Sequence, residues 1–240
     1  MSRDQLTSSA HATGYRLRLF LFLTISLGVL AAMYVLYDGV NTLRRLDLVE
    51  AERNGWQRPT DVLHALNLHR GNVVVDLGSG SGYFALKMSP IVGRGGQVLA
   101  VDLRKLSLTF LSIRAAMRTP HNIRIVHAEL NDPHLPSDGA DAVLISNAYH
   151  EFQNPQLMLD FVYRSLHAGG RLVILDRGPS PVADRLESDH EVSLEVVSTA
   201  VSKHGFQIIG EDSQFVRSSE DGRRWWLLIA RKPLASERYN

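Results

Sequence analysis

The sequence predicts an α/β protein: a doubly wound, mostly parallel seven-stranded sheet with helices on both faces and an antiparallel last strand, preceded by one N-terminal transmembrane helix. Three observations predict it. The apolar run Val74-Val75-Asp76-Leu77 enters a turn with alternating glycines, Gly78-Ser79-Gly80-Ser81-Gly82, before a second apolar run from Tyr83 to Met88. A second strand-like run, Gln97 to Val101, also ends in an acid, Asp102. Beyond it, strand and helix patterns alternate, as a parallel sheet with crossover helices requires. The chain then divides into an N-terminal tail (1–18), a membrane anchor (19–38), a juxtamembrane connector (39–57), a globular domain (58–233) and a C-terminal tail (234–240).

The anchor comes first. Leu19 to Tyr37 is nineteen residues without a charge. A helix of that length spans roughly the 30 Å hydrocarbon core of a bilayer. Arg16 and Arg18 flank one end, and Tyr34 and Tyr37 sit at the other as interfacial anchors do. A soluble core helix would carry a polar stripe, and this run has none. The rival is a cleaved signal peptide, against which stand the long preceding region and the weak cleavage signal Ala31-Ala32-Met33. Arg3, Arg16 and Arg18 on one side balance Arg44, Arg45 and Arg53 on the other, so charge does not fix the orientation. From Asn41 to Gln57 the chain is charged and helical. After Trp56-Gln57-Arg58, a short helix from Pro59 to Leu68 opens the globular part, with Pro59 in its first turn. Trp56 is read as a packing residue, with cover over the cofactor site as the alternative.

The glycine turn carries the chemistry. Glycine is required where φ is positive or a ligand comes against the backbone, and a helix start offers unpaired amide protons. A nucleoside-type cofactor is therefore expected at the carboxyl end of the first strand. The spacing is Gly-x-Gly-x-Gly and not the Gly-x-Gly-x-x-Gly of dinucleotide sites. Asp76 beside the turn is poorly suited to a pyrophosphate and suits a ligand with an ammonium group and a sulfonium centre. Asp102, about 20 residues after the last glycine, stands where doubly wound folds place a carboxylate for ribose hydroxyls. It is also an N-cap candidate for a helix over Leu103 to Met117, and the two roles are compatible.

The remaining elements follow in order. Ile123 to His127 is a third strand, followed by a loop containing Glu129 and Asp132, and Ala140 to Ser146 is a fourth. Asn154 to Leu166 is an amphipathic helix with Ala168-Gly169-Gly170 as its stop. Arg171 to Asp176 is the fifth strand, and Arg177 to His190, rich in Pro, Ser, Asp and Arg, is expected to be a mobile loop or lid. Ser193 to His204 is a helix capped by Gly205. Phe206 to Phe215 and Trp225 to Arg231 close the sheet as an antiparallel pair around Ser219-Glu220-Asp221-Gly222.

Composition narrows the function. The net charge is +1 over 240 residues, so no electrostatic footprint for nucleic acid stands out and none is expected as a partner. The absence of cysteine excludes disulfides, thiolate nucleophiles and zinc–thiolate sites. The ten histidines show no metal-ligand spacing, and no metal is expected.

The acid-preceded glycine turn, Asp76 to Gly82, followed by Asp102 one strand later, resembles the first motifs of the class I S-adenosylmethionine-dependent methyltransferases, a Rossmann-like family. The resemblance covers roughly Trp56 to Pro233. It implies S-adenosylmethionine as cofactor, with Asp76, Gly78, Ser79, Gly80 and Gly82 around the methionine part and Asp102 on the ribose. Leu103 and Asn147 complete the expected binding set, and Glu129 and Asp132 are both candidates for the adenine amino group. In Ser146-Asn147-Ala148-Tyr149-His150-Glu151-Phe152, beyond the fourth strand, family members often carry a His-Glu or His-His pair. Methyl transfer needs alignment of donor and acceptor and sometimes removal of a proton. His150 is the candidate base, with Glu151 to orient it; the alternative is that His150 hydrogen-bonds within its loop and packs under the cofactor. The implied partner is a small-molecule or lipid-soluble methyl acceptor, bounded by the segment around Trp56, the loop after His150 and the loop from Arg177 to His190. Arg177 and Arg185 are open to two readings, contacts to an acidic methyl acceptor or solvated loop charges. The cofactor is made in the cytoplasm, so a membrane-anchored enzyme would keep its catalytic domain on that side. A non-catalytic binding or scaffold protein with the same fold is the alternative.

Overall fold

The computed structural model describes residues 3–179, 191–217 and 222–237, with the side chains of 3–17 and 19 left out. Two sequence expectations lie largely outside the described residues: the loop through Ser180, Arg185 and His190, and the turn at Ser219 to Asp221. The chain forms two compact units, Met1–Val49 and Glu50–Asn240.

Helix α1 runs from Arg3 to Trp56. Along its described apolar run the side chains are exposed: Leu27, Val35 and Leu36 are each 69 % exposed, and Phe20 and Leu30 63 %. By length and composition this helix can cross a membrane.

The last turns of α1 belong to the second unit, and there they are held by buried polar contacts. Arg114, whose side chain is 3 % exposed, makes a bidentate pair with Glu50, Nη1 to Oε1 at 2.7 Å and Nη2 to Oε2 at 2.6 Å. Its Nη1 also donates to the carbonyl of Ser81 at 2.7 Å. One buried guanidinium thus ties the glycine turn to the segment read from sequence as a connector. Tyr83 Oη donates to Asn54 Oδ1 at 2.9 Å, in the same region. Trp56 packs on Trp225 with ring centroids 5.5 Å apart, so it is a packing residue.

The sheet has seven strands: β1 Val73–Leu77, β2 Gln97–Asp102, β3 Ile123–His127, β4 Ala140–Ser146, β5 Leu166–Arg177, β6 Gln207–Arg217 and β7 Arg224–Arg231. Their spatial order is β3-β2-β1-β4-β5-β7-β6. β1 to β5 pair in parallel, and β7 lies antiparallel between β5 and β6. Side chains alternate across the sheet, as the period of two demands. Val74, Leu144, Val173 and Leu175 enter one core with α2 (Pro59–Leu66), α3 (Ala85–Val92) and α4 (Lys105–Ala116). Val75, Leu77, Val143, Ile145 and Ile174 enter the other, with α5 (Pro155–Ser165) and α6 (Leu194–Lys203). The chain moves outward from β1 through β2 to β3 and then crosses back to β4 on the other side of β1. That reversal opens a crevice at the carboxyl ends of β1 and β4.

Two local expectations are corrected. The expected glycine stop of α5 is absent: the helix ends at Ser165, and Leu166 is already extended at φ −76° and ψ 140°. Gly169 and Gly170 belong instead to the irregular start of β5, where Gly169 N–H donates to the carbonyl of Lys232 at 2.8 Å. Glycine there admits close passage of the neighbouring backbone. The N-cap of α4 is Arg104, not Asp102; Asp102 instead accepts from the Arg104 N–H at 2.8 Å.

Candidate active site

The three glycines of the turn have positive φ: +83° at Gly78, +54° at Gly80 and +93° at Gly82. Their surroundings separate their roles. A Cβ on Gly78 would overlap the Cβ of Ala148, in the loop after β4, and one on Gly82 would overlap the side chain of Leu111 on α4. A Cβ on Gly80 meets nothing within 4 Å. Gly78 and Gly82 are therefore needed for packing, and Gly80 faces free space in the crevice. Gly80→Ala is expected to fold with a loss of only about 1 kcal/mol from backbone strain. Gly78→Ala and Gly82→Ala should each lose several times that through overpacking, and thermal melts of the three variants check the order.

Two adjoining recesses share Gly78. The polar one is lined by Arg53, Asp76, Ser79, Gly80, Ser146 and Asn147, among others. Asp76 is 2 % exposed. Burial pushes its carboxyl up to about 7, with Asp102 adding to the rise, while the Ala85 N–H and the Arg53 charge oppose it. Four buried polar atoms on this lining lack a hydrogen-bond partner: Asp76 Oδ2, Ser79 Oγ, Ser146 Oγ and Asn147 Oδ1. Unsatisfied buried polar atoms are costly and uncommon, and four on one wall mark a place built for a ligand rich in donors. Asn147 holds φ +55° there, with its N–H on the Leu175 carbonyl at 2.8 Å. The Arg53 guanidinium stacks 3.9 Å above the Tyr83 ring.

The second recess is mostly apolar, lined by Leu77, Val101, Leu103, Ala128, Leu130 and Met158, with Asp102, Glu129 and Glu151 among its polar members. Asp102 is 4 % exposed; its Oδ2 accepts from Gly80 N–H at 2.7 Å and its Oδ1 from Arg104 N–H at 2.8 Å. Oδ1 also accepts from Arg104 Nε at 3.4 Å, while Oδ2 keeps a second acceptor position. Of the two loop acids, Glu129 lines this recess, whereas Asp132 turns to His134, Oδ1 accepting from its N–H at 2.8 Å and Oδ2 lying 3.2 Å from its Nδ1.

His150 sits in the short 3-10 turn Tyr149–Glu151, and its side chain is 1 % exposed. Its Nδ1 lies 2.7 Å from Asp176 Oδ1, and its Nε2 lies 2.8 Å from Arg177 Nη2. A guanidinium only donates, so Nε2 is the acceptor and Nδ1 carries the proton toward Asp176. The expected partner Glu151 is displaced from that role: its Oε1 is 3.8 Å from Nε2 and its side chain is half exposed. The reason is topological, because β5 lies beside β4 and brings Asp176 under the turn. Asp176, fully buried, also accepts from the N–H groups of His150 at 3.2 Å and Arg177 at 2.7 Å. Burial raises the Tyr149 phenol to about 12, so it stays protonated near neutrality.

Sequence reasoning missed Arg53 and Arg104 on the lining, and Asp176 beneath it. The signal for Asp176 was its place at the end of a buried strand next to β4, the position that marks Asp76 and Asp102 on their own strands. No group of three or more His, Asp and Glu able to hold a metal occurs among the described residues.

Residues 75–174 match the family described as "Methyltransferase domain". A Ubiquinone/menaquinone biosynthesis C-methyltransferase UbiE from Marinomonas sp. is 25 % identical over 171 residues, covering 71 % of this chain and 62 % of that protein. The protein of the same name from Haemophilus ducreyi is 33 % identical over 124 residues, covering 50 % of this chain and 46 % of that protein. The chain thus spans less than two thirds of the length of either relative. Among solved structures, a SAM-dependent methyltransferase from Aquifex aeolicus aligns with a TM-score of 0.67 at 21 % identity, covering 80 % of this chain and 97 % of that one. A Haemonchus contortus phosphoethanolamine N-methyltransferase 2, in complex with S-adenosyl-L-methionine, aligns with a TM-score of 0.63 at 17 % identity, covering 74 % of this chain and 53 % of that one.

Proposed function

We propose that this chain, whose residues 75–174 match the methyltransferase domain family, is a membrane-anchored S-adenosylmethionine-dependent methyltransferase acting on a lipid-soluble methyl acceptor. The observation that carries the reading is the wall of four unpartnered buried polar atoms around Asp76, beside an apolar recess bordered by Asp102. Those two recesses fit the two halves of S-adenosylmethionine, a charged amino acid and a nucleoside. Asp76, with Ser79 and Asn147, would hold the ammonium end, and the guanidinium of Arg53 is placed for the carboxylate. Asp102 would take a ribose hydroxyl through its spare acceptor position, with Leu103 and Glu129 beside the adenine. The cofactor, when bound, supplies an electrophilic methyl group on a positively charged sulfur.

The protein's own part is alignment. Asp176 fixes the ring of His150, and His150 Nε2 holds the Arg177 guanidinium at the edge of the crevice. We assign His150 a positioning role in this arrangement, since its Nε2 lone pair is occupied; removal of a proton by His150 would first require Arg177 to leave. Glu151, half exposed on the lining of the apolar recess, is free of the orienting task.

α1 would hold the domain at a bilayer, with the domain on the cytoplasmic side where the cofactor is made. A quinone-like methyl acceptor accords with the names of the curated relatives. The test uses the full chain in vesicles, a lipid extract of membranes and S-adenosylmethionine labelled in its methyl group. Label should enter the organic phase with the wild type and not with Asp76→Asn. Saturable cofactor binding with no label transferred to any fraction would favour the scaffold alternative.

A further inference from the structure

The outer face of α4 carries a feature that the methyltransferase reading does not use. Leu106, Phe110, Ile113 and Met117 recur at intervals of four, three and four residues, which places them in one stripe along the helix. The core side of α4 is formed by Leu108 and Leu111, which are buried. The stripe lies away from it: Leu106 is 70 % exposed, Met117 69 % and Ile113 43 %. α4 therefore has an apolar surface beyond the one its own sheet covers.

The charges around the stripe identify what covers it. From Leu103 to Ala128 there is no aspartate or glutamate, while Arg104, Lys105, Arg118 and Arg124 are exposed. At the carboxyl end of α4, exposed Arg70 and Arg94 border a recess with Thr119 and Pro120. The chain as a whole is close to neutral at +1, so this is a local concentration of cations. Glu50 of α1 pairs with the buried Arg114 of this helix, so the exposed charges carried by α4 and its flanking residues are basic, as on a helix face lying in a bilayer interface among anionic headgroups. A second copy docked on the same face by a two-fold axis would set Lys105 and Arg118 against the same cations, with no carboxylate supplied by residues 103–128.

We propose that α4 is a second, interfacial membrane contact: Leu106, Ile113 and Met117, with the half-buried Phe110 between them, face the headgroup–acyl boundary while Lys105 and Arg118 meet anionic lipid headgroups. This rests on the reading that α1 spans a bilayer. α4 begins three residues after Asp102, which lines the apolar recess with Leu103. Seating α4 on the lipid therefore brings the crevice that would hold the cofactor close to the membrane surface, where a lipid-soluble methyl acceptor resides.

The cysteine-free sequence makes the test direct. Single-cysteine variants Leu106→Cys, Ile113→Cys, Met117→Cys, Ser112→Cys and Leu27→Cys of the full chain are labelled with an environment-sensitive fluorophore. Each is reconstituted in phosphatidylcholine vesicles containing one part in three phosphatidylglycerol. Labels at 106, 113 and 117 should be quenched by lipid-borne nitroxide and shielded from aqueous iodide, with the reverse at 112. The shielding should fall several-fold in Lys105→Glu/Arg118→Glu. Iodide quenching at 106, 113 and 117 equal to that at 112, with the label at 27 still quenched from the lipid, overturns the interfacial contact and leaves the anchor standing. Shielding from both quenchers overturns it in favour of a second copy. Iodide quenching at 27 as well removes the anchor and the proposal together.

Discussion

Asp76→Asn is expected to weaken S-adenosylhomocysteine binding by at least a hundredfold at pH 8, while making the free protein more stable at that pH. Both effects follow from a carboxylate buried at 2 % exposure whose pKa is raised to about 7 by desolvation. The folded protein holds this proton up to about pH 7, while the unfolded chain releases it near the ordinary carboxylate value of 3.8. The stabilisation from Asp76 is thus fully present below the unfolded value and lost as pH rises through about 7. Above pH 7 the isolated charge destabilises the fold by roughly 2–4 kcal/mol, which asparagine avoids. Cofactor binding runs the opposite way, because an ammonium group pairs with the ionised form. Wild-type affinity should fall about tenfold for each pH unit below 7, and the variant should lose that slope. Titration calorimetry across pH 5.5 to 8.5 (an experimental range of roughly three units) measures the affinity, and thermal melts in the same buffers measure the stability.

Asp176→Ala is expected to cost about 3–5 kcal/mol of stability, against less than about 0.5 for Glu151→Ala. Asp176 is fully buried and accepts hydrogen bonds from the backbone N–H of His150 and of Arg177 and from the His150 ring. Its loss leaves these donors unpaired beneath the crevice. Asp176→Asn keeps an acceptor at that place and should fall between the two. Denaturant titration ranks the three variants. If Glu151→Ala proved as damaging as Asp176→Ala, the assignment of the orienting role would be wrong.

The fold was legible where burial and periodicity coincide. β2, β3 and β4 have the bounds expected from their apolar runs because each is a short strand between clear breaks, β3 at the edge of the sheet included. The end of α5 was not legible: Gly169 and Gly170 look like a helix stop, yet they serve the irregular start of β5 and its pairing with the chain near Lys232. That competition is decided by tertiary neighbours that local propensity does not contain. The insertion of β7 between β5 and β6 was likewise settled by sheet pairing and not by the sequence order of the two strands.

At the site, residues signalled by strand-end position or glycine spacing lie together: Asp76, Gly78, Ser79, Gly80, Asp102, Leu103, Glu129 and Asn147 border the two recesses. Gly82 does not border them; it packs under Leu111. What escaped were long-range partners. Glu151 was the neighbour of His150 in sequence, but adjacent side chains of a tight turn diverge, and Asp176 arrives from another strand. Arg53 and the Glu50–Arg114 pair were hidden because a charged helical segment after an apolar run reads as a connector. The structure folds that segment onto the glycine turn.

The most direct measurement is calorimetric titration of the full chain, held in lipid nanodiscs at pH 8, with S-adenosylhomocysteine. One saturable site per chain is the expected result, with protons released on binding when the titration is repeated at pH 6 in buffers of different ionisation heat. A flat titration with wild-type protein that melts cooperatively would contradict the assignment of the crevice beside Asp76 and Gly78.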